Sequence, residues 1–395
     1  MKARAISFAV FASLLLTLAP PDAAAVAPPA PAFCTATTTT FTNNTAVAIP
    51  SGPVVVTSTI GVAGLGAYLF DLDMTTFLTH TWSADLYVTI QSPAGTVVTL
   101  TTGNGGEYDD VFNGTVWDDD ANPGGQVPYS TNNGLATDHN YFLVNPATLV
   151  VPEEALGAFL GEDPNGTWTL TIADQFIGES GSLDSWSLHL TTIDQAPSLA
   201  TTGASTNTPV AIVDLGVTTS TIEVSGAGGY LFDVDVTTFI THTYSSDLDI
   251  TVQSPAGTVV TLTTDNGGSL DNVFNGTLWD DDANPGGQVP YTTNDGLVTD
   301  HAYVDLTLAS PLVPEEALAA FVGENPNGTW TITISDPWAG DTGSLDSWSL
   351  DIETATCTPP PLSVLEIPTL DGIGLAALAL LLAGFAFASL RRRRA

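Results

Sequence analysis

The sequence predicts an all-β chain: two tandem β-sandwich or jelly-roll modules between terminal targeting segments. Three observations carry this. Residues 63–192 recur at 225–354 with a constant spacing of 162 and no gap. A repeat this long is a duplicated domain, since solenoid units run to roughly 20–50 residues. Within each copy apolar residues alternate with period two, and Thr, Val, Gly and Asn abound while helical periodicity is almost absent. Turn signals separate the short runs, as a sandwich or jelly roll requires.

In chain order, Leu86, Val88 and Ile90 alternate with Tyr87 and Thr89, which predicts a half-buried strand. Ser92-Pro93-Ala94-Gly95 supplies a turn and Thr96–Leu100 a returning strand. Pro152–Leu160, with Pro314–Val322 in the second copy, offers a helical turn or two. Asn165-Gly166 turns the chain into a strand presenting Trp168, Leu170 and Ile172 on one face. Trp186, Leu188 and Leu190 repeat the pattern. These tryptophans, with Trp330 and Trp348, read as core. The domain plan is a signal peptide over 1–25, a Pro/Thr-rich segment over 26–45, modules at 46–195 and 210–355, and a linker at 196–209. A Pro-rich stretch over 356–366 precedes a tail at 367–395.

The termini read as delivery. Lys2 and Arg4, the apolar run Ile6–Leu18 and the small residues Ala23–Ala25 predict a secretory leader cut near Ala25. Gly372–Leu390 is an uncharged apolar stretch long enough to span a bilayer, and Arg391–Arg394 would hold its end in the cytoplasm. Ile367-Pro368-Thr369-Leu370, the helix and the arginines together resemble the IPTL-type C-terminal sorting signal of Gram-negative bacteria. That resemblance implies a membrane-embedded sorting protease as partner. It also implies an inner-membrane-anchored intermediate that ends at the cell surface or outside the cell. Asp371-Gly372-Ile373 departs from the polar, acidic and tryptophan-containing stretch usual after the motif.

All six Lys and Arg lie in these two signals, against 43 Asp and Glu in the chain. A body so charged repels phosphate backbones and acidic membrane surfaces, which excludes nucleic-acid binding. No Arg–carboxylate pair or lysine nucleophile is available between Ala5 and Leu390. Carboxylate clusters there must be solvated or neutralised by metal. Cys34 and Cys357 bracket the modules. An intramolecular disulfide between them would contribute about 4–5 kcal/mol in the chain-entropy model; free thiols, or pairing with another chain, are the alternatives.

Six motifs, each present twice, carry a family resemblance. Thr79-His80-Thr81, Asp85-Leu86, Ser92–Thr96, Trp117-Asp118-Asp119-Asp120-Ala121, Asn165–Trp168 and Gly181–Leu188 resemble the P (Homo B) domain of proprotein convertases, and the second copy repeats them from His242 to Trp348. The resemblance implies two tandem jelly-roll β-sandwich domains of a kind that usually follows a subtilisin-like serine protease domain. It implies calcium in some members. No such catalytic domain is legible. A Ser nucleophile needs an activating His and Asp, and the five histidines, His80, His139, His189, His242 and His301, suggest no such set. Gly178-Glu179-Ser180-Gly181 is not a nucleophile elbow, and Thr342 replaces Ser180 in the copy. His80 and His242 read as hydrogen-bonded structural residues.

The candidate site is Asp118-Asp119-Asp120 and its copy Asp280-Asp281-Asp282. Three adjacent carboxylates repel unless solvated or bridged, and calcium takes six to eight oxygen ligands. Asp109 and Asp110, with Asp271 and Asn272, are possible further donors. Calcium and a solvated acidic loop both remain open. The expected function is an exported surface protein whose two non-catalytic modules serve binding, adhesion or structure. The alternative is an accessory of a subtilisin-like peptidase.

Overall fold

The computed structural model describes residues 27–121, 141–283, 301–359 and 372–392. The expected leader, His139 and the loop after Ala121 lie outside them. The described residues up to Thr358 form one compact unit and those of the tail another.

Each copy builds two antiparallel sheets. In the first, β1 (Ala36–Asn43), β10 (Gly181–Ile193), β4 (Leu69–His80), β7 (Asn113–Trp117) and β8 (Leu149–Val150) lie in that order, with β2 (Val47–Ile49) also on β10. β8 alone runs parallel to its neighbour. The other sheet is β3 (Val54–Val62), β9 (Gly166–Asp174), β5 (Leu86–Gln91) and β6 (Val97–Thr102). The second copy repeats this with β11 (Ser198–Thr206), β19 (Gly343–Thr356), β14 (Leu231–His242) and β17 (Asn275–Trp279), with β12 (Val210–Ile212) on β19. Its other sheet is β13 (Gly216–Val224), β18 (Gly328–Asp336), β15 (Asp249–Gln253) and β16 (Val259–Thr264).

The alternating faces bury one core per module. Trp117, Trp168 and Trp186 are fully buried, and each indole N–H donates: to Thr76 Oγ1 at 3.0 Å, to the Pro164 carbonyl at 2.9 Å and to Ser58 Oγ at 2.9 Å. A buried indole needs such a partner. Three sequence expectations require correction. β5, flanked by β9 and β6, is buried along both faces from Leu86 to Ile90, not half-buried. The expected linker 196–209 is mostly β11, paired along its length with β19. The expected N-terminal segment likewise contains β1, paired with β10.

The two modules pack through equivalent surfaces. Phe70 and Ile193 meet Phe232 and Ala355, their counterparts 162 residues on, with Tyr68 and Tyr230 alongside. Ala155 and Ala317 share a second cluster. When the same patch of each copy meets the other, the interface is isologous, as in a two-fold dimer. Gln195, in the short connection, clasps both ends of the body: its Nε2 donates to the Phe33 and Thr358 carbonyls and its Oε1 accepts from Thr358 Oγ1. Cys34 and Cys357 are disulfide-bonded beside it, with Cα atoms 5.4 Å apart. In the tail, α1 (Gly372–Arg392) is a 21-residue apolar helix, long and apolar enough to cross a membrane.

The disulfide closes nearly the whole body, whereas each core is complete within its own module. Reduction, or Cys34→Ser with Cys357→Ser, should therefore lower the melting temperature by about 5–15 °C while far-ultraviolet circular dichroism stays unchanged. An unchanged melt would show that other contacts alone hold the ends.

Candidate functional site

The aspartate triplets fall at the inter-module interface and their members do different work. Trp117 lies opposite Met74 on β4, so the chain leaving β7 brings Asp118 beside Asp73. Asp71 and Asp73 share one face of β4 by strand periodicity, and Asp118 and Asp73 are joined by a side-chain hydrogen bond. Such a bond between two carboxyl groups requires a proton. Asp118 Oδ1 also accepts the Asp120 N–H at 2.7 Å. Asp119 turns inward and caps the 3₁₀ turn Leu156–Phe159, accepting the Leu156 N–H at 3.0 Å and the Gly157 N–H at 2.7 Å. Asp281 makes the same bonds to Leu318 and Ala319. A methyl group on Gly157 would meet Asp119 Oδ2 at 3.6 Å and Asp281 Oδ2 at 3.8 Å, so the two caps border one point between the modules.

Burial without a basic partner sets the electrostatics. Desolvation first, then neighbouring carboxylates, pushes Asp120 up to about 8 and Asp119 to about 7. Asp71, Asp73 and Asp118 are raised by burial first; Asp118 raises Asp71 further, and Asp71, Asp118 and Asp120 raise Asp73. In the copy Asp233 rises to about 7, Asp235 to about 8 and Asp282 to about 6, again by burial first. The second site is the more acidic, because Asp351 and Glu353 stand opposite Asp235 and Asp233 where the first has His189 and Thr191.

Calcium fits this donor set only in part. Among the described residues no three or more His, Cys, Asp or Glu side chains are grouped to hold a metal ion. Asp119 and Asp281 are already acceptors for the backbone. The further donors expected from sequence lie elsewhere. Asp110 sits at the other end of β7, about 16 Å along a five-residue strand, where its Oδ1 accepts the His80 N–H at 2.9 Å. Its left-handed backbone, φ 58°, is one that Asp and Asn tolerate, and Asn272 repeats both features. Asp71 and Asp73, which do join the site, escaped the sequence reading. Their only signal was an Asp-x-Asp pair on a strand, repeated as Asp233-Val234-Asp235.

Three of the described histidines are committed elsewhere. His80 is buried, its Nδ1 lies 2.7 Å from the Trp82 carbonyl and its Nε2 faces Asp174 at 3.5 Å. His242 repeats this with Tyr244 and Asp336. Asp174 in turn accepts the Gly52 and Phe176 N–H groups. His189 bonds Thr40 Oγ1 at 3.1 Å and Thr75 Oγ1 at 3.2 Å, with no carboxylate on either nitrogen. None of these rings stands ready as a general base.

The raised carboxylates fix a pH dependence. Their folded-state values exceed the ordinary value near 4, so between pH 4 and 8 the folded chain keeps protons the unfolded chain has lost. Stability falls as pH rises through that window. In chelator the melting temperature should drop from pH 5 to pH 8 by about 5–10 °C. Asp120→Asn with Asp282→Asn should flatten the slope. A rising or flat wild-type profile would refute the burial of these charges.

Comparison with known proteins supplies the family. The proprotein convertase P-domain matches residues 69–190 and 231–352, and the IPTL-CTERM motif matches 367–394. No curated protein matches. Among solved structures, a serine protease of Aeromonas sobria is 20% identical over 41% of this chain and 28% of its own length, with TM-score 0.26. The Aeromonas sobria protease in complex with a chaperone aligns at 20% over 42% and 28%, with TM-score 0.25. The major capsid protein P2 of bacteriophage PM2 is 10% identical over 81% and 98%, with TM-score 0.22. This chain thus spans about a quarter of the protease's length, and TM-scores this low add nothing to the family match. With both copies matched over more than half its residues, the chain belongs to the proprotein convertase P-domain family and carries two such domains ahead of a C-terminal sorting motif.

Proposed function

We propose that this protein is exported by its leader, held in the inner membrane by α1 and displayed at the surface or released once a sorting protease removes the tail. Its two modules then serve binding, adhesion or structure without catalysis. We read each as a jelly roll, since the chain changes sheet from β3 to β4, β4 to β5, β6 to β7 and β9 to β10. One observation carries the binding reading. Polar chemistry is turned inward onto the backbone, whereas large apolar side chains stand out at the end of each module far from the interface. Trp82, Phe176 and Ile177 are exposed on the first, Ile177 by 82%; Tyr244 and Trp338 are exposed on the second. Clustered exposed apolar side chains mark interaction surfaces.

The family favours a second reading, in which those ends grip a subtilisin-like peptidase. Purification from the envelope separates the two. Under the first, Ile177→Ser with Trp338→Ser abolishes adherence to cells or glycans and leaves the melt unchanged, with no peptidase retained. A co-purifying peptidase whose thermal inactivation the protein slows would instead establish the accessory role.

Calcium belongs to the same proposal, with Asp118 and Asp120 joined by Asp73, and Asp280 and Asp282 joined by Asp235. A bound cation would replace the shared proton and relieve the repulsion. Mass action gives about 2.7 kcal/mol at a hundredfold excess over Kd. The expected result is an upward shift of the melt in calcium, lost when the triplets become Asn; no shift would leave these carboxyl groups protonated or solvated.

A further inference from the structure

We propose that the larger cavity between the modules binds a small alkylammonium ion, its charge against Asp233, Asp282 and Glu353 and its carbon chain against Phe232 and Leu318. The proposal goes beyond the reading of the apolar ends and shares only Asp282 with the calcium set. The cavity has a volume of ≈ 210 Å³ and both modules line it, Tyr68 and Leu160 coming from the first. One water needs about 10–15 Å³, so the space takes a molecule of several heavy atoms. One wall is apolar and holds the buried Phe232 and Leu318. The Tyr68 and Phe232 rings stand there 6.5 Å apart, tilted by 46°. The other wall is acidic. Asp233 on β14 lies opposite Glu353 on β19, whose Oε1 accepts the Thr201 hydroxyl at 3.4 Å. Asp281 is committed to the Leu318 and Ala319 N–H groups, which leaves Asp233, Asp282 and Glu353 to meet a guest. An apolar lining with a few convergent polar groups is the make-up of a small-molecule site.

Charge selects a cation. No Lys or Arg lies between Ala5 and Leu390. Burial first, then neighbouring carboxylates, pushes Asp233 up to about 7 and Asp282 to about 6. Burial and then Glu353 push the Tyr68 phenol up as well. A cationic guest relieves this repulsion, which a neutral one leaves in place. Shape selects an organic cation. Calcium takes six to eight oxygens converging on one point, whereas among the described residues no three acidic or histidine side chains are grouped to hold a metal ion. An ammonium group donates several hydrogen bonds to separate carboxylates and is drawn to aromatic faces, while its methylenes bury against the apolar wall. The first module has no equal site. Its cavity measures only ≈ 20 Å³, and Thr191 stands where the second has Glu353. One guest per chain follows.

Titration calorimetry of the oxidised full chain in detergent and chelator tests this, with n-butylammonium as the probe and butan-1-ol as its neutral counterpart. Butylammonium should bind saturably, one per chain. Butan-1-ol should bind at least about tenfold more weakly, because it brings no charge to the carboxylates. Glu353→Gln should weaken butylammonium by about fivefold. Ile177→Ser with Trp338→Ser should leave it unchanged, which keeps the cavity separate from the apolar ends. The comparison of amine with alcohol uses the wild type alone, so it stands even if Glu353→Gln fails to fold. Equal binding of the two probes, no saturable binding of the amine, two guests per chain, or wild-type affinity in folded Glu353→Gln would overturn the proposal. Calcium binding without butylammonium binding would overturn it too, and would give the carboxylates to a metal.

Discussion

The structure depends on one constraint: its body has no Lys or Arg to meet its buried carboxylates. A buried charge without a partner is costly, so the chain uses backbone N–H groups and hydroxyls in place of cations. Glu153 accepts the Thr102 N–H at 2.7 Å together with that residue's hydroxyl, and Glu154 accepts the Thr99 N–H at 2.7 Å. Glu315 and Glu316 repeat this on β16. Asp174 accepts from Gly52 and Phe176, and Asp119 from Leu156 and Gly157. Each bond ties a loop to a strand or closes a turn. Acidic residues here act as structural acceptors, a role that needs no counter-ion close by.

Where acceptors outnumber N–H groups, charge accumulates, and this happens at the interface. Duplication explains the position. Two copies meeting through the same patch bring like to like: Phe70 to Phe232 in the apolar cluster, Asp119 to Asp281 among the carboxylates. Hydrophobic pairs gain from such symmetry, whereas charged pairs lose by it. The copies have diverged there. Ala319 stands where the first module has Gly157, and Asp351 and Glu353 replace His189 and Thr191. The result is a narrow first cavity lined by Pro28 and a wider, more acidic second one.

Much of the fold was legible because strands such as β9 and β10 bury one periodic face and the turns use Gly, Pro and Asn. Trp168, Leu170 and Ile172 marked β9 in this way. β1 and β11 were missed for a physical reason: both are Thr-rich strands on sheet edges, exposed along much of their length. They are held by backbone pairing, which leaves no apolar alternation to read. At the site, the adjacency of Asp118, Asp119 and Asp120 drew attention, yet adjacency hid their division into a buried cap and two cluster members. Asp71 and Asp73 arrive from a strand about 45 residues earlier in sequence, and only the pairing of β4 with β7 brings them in. The disulfide pairing was open in the sequence and is fixed by where β1 and β19 place their ends.

The two P modules form one body joined across their equivalent faces. Calorimetry of the oxidised, processed protein tests it most directly. One cooperative transition is predicted, with calorimetric and van't Hoff enthalpies equal. Two transitions, or a calorimetric enthalpy about twice the van't Hoff value, would mean that the modules unfold independently and that the interface carboxylates hold nothing together.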